Sequence, residues 1–434
     1  LASFIGCLIA CVLTGYTVDR RSQQQLDAMK HSSIQKLEST LYAGSDNAWY
    51  YYEEAIDRAT NVQPDQSRKD FVYGRKPMDP YIERTILENH HALELLKTGA
   101  AHEHCSVLFG YRGGLFRRNT NLNRLKLITQ VLCARGLYRL EKGETRQGME
   151  DIFASLTIAK HIVELSPTIL DQIGGVNMLY WGLSVLNTGI ASGAFSKNEL
   201  ASINSFLGPL EQEWPQLSFT LERQIAALKI HIASSSVSAT ANFVLLPHHG
   251  KEPSALLRLL VRLRYWRYLF STRRAFIARF TFLDSLVAEM SEIEEKNAVQ
   301  GYWNVRETFP LFFDERITEH HRGNPIPAVF TPKLINTGLL FNMTRMRLLH
   351  CAAIIAQYRD EKGYYPPDLS GCSRRIATDP NTGNIWQYEI IGDEASLRSS
   401  GLDIDEPYDN IVVVLTRKGI VRYLSDRQKQ IQNE

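Results

Sequence analysis

None of the short motifs that announce a common catalytic centre occurs in this sequence. There is no His-Glu-x-x-His, no Cys-x-x-Cys, no Gly-x-Ser-x-Gly and no phosphate-binding loop, which removes the simplest routes to a zinc peptidase, a dithiol centre, a serine hydrolase or a nucleotidase. Net charge is nearly missing too. Lys+Arg 49 against Asp+Glu 47 leaves +2, so no global field favours a polyanion, no nucleic-acid module is recognisable, and nucleic acid is not expected as a partner. No repeat of fixed period recurs, which excludes a regular solenoid. Cysteine is sparse at six.

What is present is ordinary for a globular chain. The 434 residues suffice for two or three domains, and 44% hydrophobic against 22% charged residues exclude wholesale disorder. The first residue is Leu rather than Met, and further residues are expected upstream. Leu1 to Val18 carries no charge and is followed by Asp19-Arg20-Arg21. Its length is at the short end of a membrane span, where about 20 residues are typical. A signal peptide is the competitor, but Thr14-Gly15-Tyr16 makes a poor cleavage site, so residues 1–18 are expected to form an uncleaved N-terminal transmembrane helix. Residues 19–60 follow as a stalk or amphipathic helix, with Leu26, Met29, Ile34, Leu37 and Leu41 near helical spacing. Such a stripe serves either a partner or the segment's own domain. The four aromatics from Trp49 to Tyr52 fit a membrane interface or a core helix equally well.

Residues 61–330 read as a helical body. The polar, Pro-bearing run around Gln63 to Asp70 predicts a loop within 61–80, and Ile86 to Leu96 an amphipathic helix. Leu125 to Leu140, the turn Glu141-Lys-Gly-Glu-Thr145 and Gln147 to Ser166 predict a helical hairpin ended by Pro167, with Gly136 and Ala159 where helices would pack closely. The expected architecture is mainly α, an irregular array of tetratricopeptide-like (TPR-like) hairpins. Between Ser254 and Phe280 seven arginines, Arg258, Arg262, Arg264, Arg267, Arg273, Arg274 and Arg279, alternate with apolar residues and no acid. Contact with an anionic membrane surface is one reading; snorkelling arginines, or pairs with Glu289, Glu292, Glu294 and Glu295, is the other.

The C-terminal stretch is the most legible. Leu348, Ala352 and Ile355 put an apolar stripe on a helix that Gly363 and Pro366-Pro367 stop. A turn at Asp379-Pro-Asn-Thr-Gly383 leads into short β-prone runs at Ile385 to Ile390, Ala395 to Ser399, Ile411 to Leu415 and Ile420 to Tyr423. Residues 331–425 are therefore expected to form a small α+β domain, with 426–434 a polar tail. The helix ending Gln357-Tyr358, the Gly363-Tyr-Tyr-Pro366 step, the Asp379 to Tyr388 turn and strand, and Ser400-Gly401-Leu-Asp403 together resemble the C-terminal domain of the type II secretion major pseudopilin. That resemblance implies a calcium ion held by Asp403, Asp405 and Asp409, although Ile404 to Tyr408 replace the family's Gly-rich loop. With Ala92 to Leu96, Cys105, Leu125 to Leu140, Gly143, Met149 to Ile162 and Pro167 to Leu170, the chain is also similar to a group of uncharacterised, membrane-anchored bacterial proteins. These pair a helical body with a pseudopilin-like tail.

The resemblance implies a single-pass cell-membrane protein with an extracytoplasmic, periplasmic body, whereas Arg20 and Arg21 alone would place that body in the cytoplasm. Outside the cytoplasm, the four body cysteines have three possible pairings, of which Cys351 with Cys372 and Cys105 with Cys133 would each brace a local structure; buried free thiols are the alternative. Cys7 and Cys11 lie in the expected anchor. Asn342-Met-Thr344 matches a glycosylation triplet by chance. The histidine pairs His90-His91, His248-His249 and His320-His321 splay about 100 degrees apart on a helix. The best metal candidate is His102-Glu-His104-Cys105, whose nitrogen and sulfur donors suit zinc. The expected function is an envelope scaffold or interaction protein linked to type II secretion or pilus-like assembly, with envelope proteins and the membrane as partners and no small-molecule substrate or catalytic residue identified. The alternative is a metal-dependent hydrolase built on the His/Cys cluster. A calcium sensor at Asp403 and Asp405 is the third option.

Overall fold

Short polar side chains decide where the helices begin. The computed structural model describes residues 21, 23–35, 46–106, 120–165, 169–214, 332–380, 382–399 and 412–415, with isolated helical positions between 218 and 295. Helix α1 (Ala48–Arg58) starts at Asn47, whose side chain accepts from Trp49 N. Asp65 accepts from the amides of Ser67 and Arg68 and opens α2 (Gln66–Val72), so the loop expected over 61–80 contains a short helix; the polar composition that predicts a loop also supplies its cap. Asp79 with Pro80 at the first helical position opens α3 (Pro80–Glu88).

The continuous helix expected from Ile86 to Leu96 is broken. Asn89 separates α3 from α4 (His90–Ala100), because its side chain bonds away from helical geometry: Oδ1 accepts from Thr60 N at 2.9 Å and Nδ2 donates to Thr60 O at 3.0 Å. The expected hairpin forms as α5 (Thr120–Glu141) and α6 (Thr145–Leu165), joined by a turn in which Gly143 has φ +80°, a conformation glycine adopts at no steric penalty. Then come α7 (Ile169–Ala191) and α8 (Lys197–Gln212), the latter opened by a Ser196/Glu199 capping box. Helix α9 (Pro332–Lys362) runs well upstream of the predicted segment and stops at Gly363, φ +82°, as the sequence predicts.

Among the described residues three strands follow: β1 (Gln387–Ile391), β2 (Glu394–Arg398) and β3 (Val412–Leu415), antiparallel in the order β1-β2-β3. Tyr388 pairs with Leu397, and Leu397 with Val413. Ala395, Leu397, Val413 and Leu415 are buried, so the two-residue alternation fixes which side of the sheet faces inward. The fourth expected strand, 420–423, lies outside the described residues.

The described protein is mainly α, and the chain divides into two compact units. In the first (Leu1–Leu41, Val107–Arg118, Leu217–Glu292), residues 23–35 are helical, Ile34 packs against Ala226 and Ile230, and Lys229 pairs with Asp284 at 2.7 Å. The second (Tyr42–Ser106, Asn119–Gln216, Ile293–Glu434) holds α1–α9 and the sheet. Its centre is α5, α6 and α7, which all pack on one another; Leu125, Ile152, Leu156, Leu179 and Leu183 are wholly buried there. Each such side chain contributes roughly 1.5–3 kcal/mol. Helix α9 packs on α7 and α8 and reaches β2 and β3. Arg347 of α9 donates through Nε to Glu211 Oε1 of α8 at 2.6 Å, both buried. Among the described residues no helix is long and apolar enough to cross a membrane, and the expected span at 1–18 lies outside them.

Candidate functional site

The histidine stretch singled out by sequence is a clasp between two chain segments. Residues 101–106 return alongside the start of α1: Ala48 N donates to His104 O at 2.8 Å, Asn47 Nδ2 to Ser106 O at 2.8 Å, and Ser106 N to Asn47 Oδ1 at 3.0 Å. His102 contacts Asp46 through Nδ1 and stacks on Tyr51, ring centroids 4.7 Å apart. His104 is exposed and Cys105 half-buried. The Cys105 thiol is pushed well up by burial and by Glu164, so it stays protonated, a poor state for a nucleophile. The structure does not assemble His102, His104 and Cys105 into a ligand set; among the described residues no group of three His, Cys, Asp or Glu side chains is placed to hold a metal.

Sequence reasoning missed what lies beneath. Tyr52 Oη and His161 Nδ1 are 2.7 Å apart in the core between α1 and α6. Burial, then Lys160 and the clasp histidines His102 and His104, drive the His161 ring down to about 4, while a bond with the Glu103 backbone opposes this. The ring is therefore neutral at pH 7. A single histidine among the largely apolar residues from Ile158 to Val163 is the only signal of it in the sequence.

The other sequence-derived sites are scattered. Cys105, Cys133, Cys351 and Cys372 are all free thiols, so neither expected disulfide is closed, although Cys351 Sγ and Cys372 Sγ lie 3.6 Å apart. Cys133 is fully buried on α5, and burial pushes its thiol up to about 12. Asn342 is buried and donates to Val176 O at 3.1 Å, which fits the chance reading of its triplet. His90 and His91 are exposed. Asp403, Asp405, Asp409, Cys7, Cys11, the pairs His248-His249 and His320-His321, and the arginine run up to Arg279 lie outside the described residues.

A different site emerges where α2, α5, α7 and α9 meet. Tyr73, just past α2, meets Tyr180 of α7 edge to face at 5.3 Å, and Tyr180 lies 6.2 Å from Phe341 of α9. Trp181 Nε1 donates to Tyr73 Oη at 2.9 Å. Cations cover these rings. Arg75 sits 4.9 Å from the Tyr73 centroid, Arg345 4.8 Å from Tyr180 and Lys126 5.7 Å from Trp181, within the range of cation–π attraction. Burial raises the Tyr73 phenol, with Arg75 and Arg345 among the groups pulling it back. Burial also lowers Lys126, and neighbouring Lys69 lowers it further. Acid is scarce around them: Asp70 takes Arg75 at 3.8 Å and Lys76 at 3.4 Å, while among the described residues Lys126 and Arg345 have no ion-pair partner. Tyr73, Tyr180 and Phe341 are half-buried, so the cluster is an aromatic surface capped by cations. Its residues are separated by up to 272 positions in the chain, Tyr73 to Arg345, and no local motif joins them.

No family model, no curated protein and no solved structure matches this chain.

Proposed function

We propose that this chain is a membrane-anchored interaction protein of the bacterial envelope, working by binding rather than by catalysis, with its TPR-like helical hairpins presenting the face around Tyr180. The observation that carries the reading is that face: three aromatic side chains, and two cations with no carboxylate partner among the described residues, gathered from separate parts of the chain and only half-buried. Tyrosine, tryptophan and arginine are the side chains that dominate protein–protein contacts, because they bring large rigid area at low entropic penalty. The order of a long helix, a Gly363 stop and three antiparallel strands supports the proposed pseudopilin-like tail, and with it a link to type II secretion or pilus-like assembly and a periplasmic body.

The test is a photoreactive amino acid placed at Tyr180 in living bacteria, with the same group at Leu87 of α3, 70% exposed, as the control. A defined adduct with an envelope or secretion component, present at 180 and absent at 87, is the expected outcome. Equal labelling at both positions, or none at 180, overturns the reading.

A further inference from the structure

We infer that the face formed by Tyr73, Lys126, Tyr180, Phe341 and Arg345 takes an acidic segment of a partner protein, one that carries an aromatic or aliphatic anchor beside its carboxylates. The inference rests on the interaction reading above and adds the chemistry of the partner. Lys126 and Arg345 each have one side occupied by a ring and, among the described residues, no carboxylate partner. A guanidinium or ammonium group in that position is already partly desolvated and already held in place. A carboxylate arriving from outside therefore meets a donor that has less hydration and less rotamer freedom to lose than a fully exposed one, which favours charge-assisted hydrogen bonds. The mutual repulsion of Lys69 and Lys126 is relieved by the same anion.

The aromatic side chains settle what else the partner must bring. Tyr180 and Phe341 are half-buried, their rings 6.2 Å apart and tilted, and such a surface gains most by covering with an apolar or aromatic side chain rather than with more charge. An acidic segment lacking an anchor would leave this area wet; an apolar segment lacking acids would leave Lys126 and Arg345 unpaired under it. Nucleic acid is the competing polyanion, and it is disfavoured. Phosphate backbones call for a track of cations following the strand, whereas here the cations cap a compact aromatic cluster in a chain of net charge +2.

The experiment uses the full chain and three fluorescent probes: a peptide of Glu and Asp with one central Trp, its Gln/Asn counterpart, and a single-stranded DNA oligonucleotide. Anisotropy at low salt is expected to rank the acidic peptide first, with affinity falling as salt rises. Lys126→Gln with Arg345→Gln should weaken that binding by on the order of tenfold or more. The charge-keeping pair Lys126→Arg with Arg345→Lys should retain most of it. Arg146→Gln, on an 86% exposed side chain, should change nothing. Melting curves of all variants separate lost binding from lost fold. Tighter binding of the oligonucleotide, equal binding of the neutral peptide, no binding of the acidic peptide, or equal loss in both double variants overturns the inference. Acidic-peptide binding in vitro without an adduct at position 180 in cells would instead remove the envelope reading and leave the chemistry standing.

Discussion

Arg135 grips Asp151 with both arms of its guanidinium, Nε to Oδ2 at 2.9 Å and Nη2 to Oδ1 at 2.7 Å, and the two side chains are buried between α5 and α6. Arg139 Nη1 adds a bond to Oδ2 at 2.8 Å, and Arg135 Nη1 reaches Glu94 of α4 at 2.7 Å. Burial raises the Asp151 carboxyl above its ordinary value against the pull of both arginines, a sign of how fully water is excluded. Breaking the pair strands a charge there. Asp151→Leu or Arg135→Leu alone should destabilise the protein by about 3–5 kcal/mol in denaturant titrations, and the double replacement by much less than the sum. Additive losses would show that the pair is not the unit holding these helices.

The same helix pair meets at glycine. A Cβ on Gly148 would come within 2.9 Å of the Gly136 carbonyl oxygen and 3.0 Å of Leu140 Cδ2, so the backbones of α5 and α6 approach as closely as they do only because nothing projects there. Gly148→Ala should destabilise by about 1–3 kcal/mol, despite the better helix propensity of alanine. Gly174→Ala, where an added Cβ meets nothing within 4 Å, should be neutral or stabilising in the same thermal melts.

These positions show how far the sequence could be read. Local signals carried through: the Gly143 turn, the Gly363 stop and the alternation of Ala395 and Leu397 all act within a few residues of themselves, and each marks the element it predicts. Gly136 and Ala159 were legible as small residues on helices, but not their partners; Gly148 faces Gly136, and Gly175 faces Ala159, because that pairing depends on the crossing of helices. Asn89 failed as a helical residue for a similar reason, since its competing bonds go to Thr60, 29 positions away. The aromatic and cationic face was wholly illegible. Tyr73 sits in what reads as loop, Arg345 precedes the apolar stripe of its helix, and neither carries a mark of the other.

His161 should make stability depend on pH below neutrality. Its folded-state value of about 4 lies under the 6.5 of the free side chain, so the folded protein disfavours the proton that the unfolded chain accepts. The stabilisation is complete above pH 6.5 and is lost as pH falls towards 4, by up to about 3 kcal/mol from this one ring. His161→Phe should flatten that part of the melting-temperature profile while leaving the carboxylate-driven fall at lower pH. A variant that keeps the full slope between pH 6.5 and 4 would show that other groups produce it.

Cys351 of α9 and Cys372 of the following loop are poised to join, with sulfurs 3.6 Å apart and Cys351 fully buried. The contact holds the Cys372 thiol below its ordinary value and Cys351 above, so Cys372 supplies the thiolate. Oxidised glutathione provides the balance: the Cys372 thiolate attacks its disulfide and releases one glutathione, then Cys351 loses its proton and displaces the second, leaving one new S–S bond. The closed loop should raise stability by about 3 kcal/mol. Intact mass should fall by two hydrogens, and two of the four body cysteines should escape alkylation under denaturing conditions. Cys105 and Cys133 should both remain alkylatable, and Cys372→Ser should abolish the mass change. Loss of hydrogens that survives Cys372→Ser would assign the bond to a different pair.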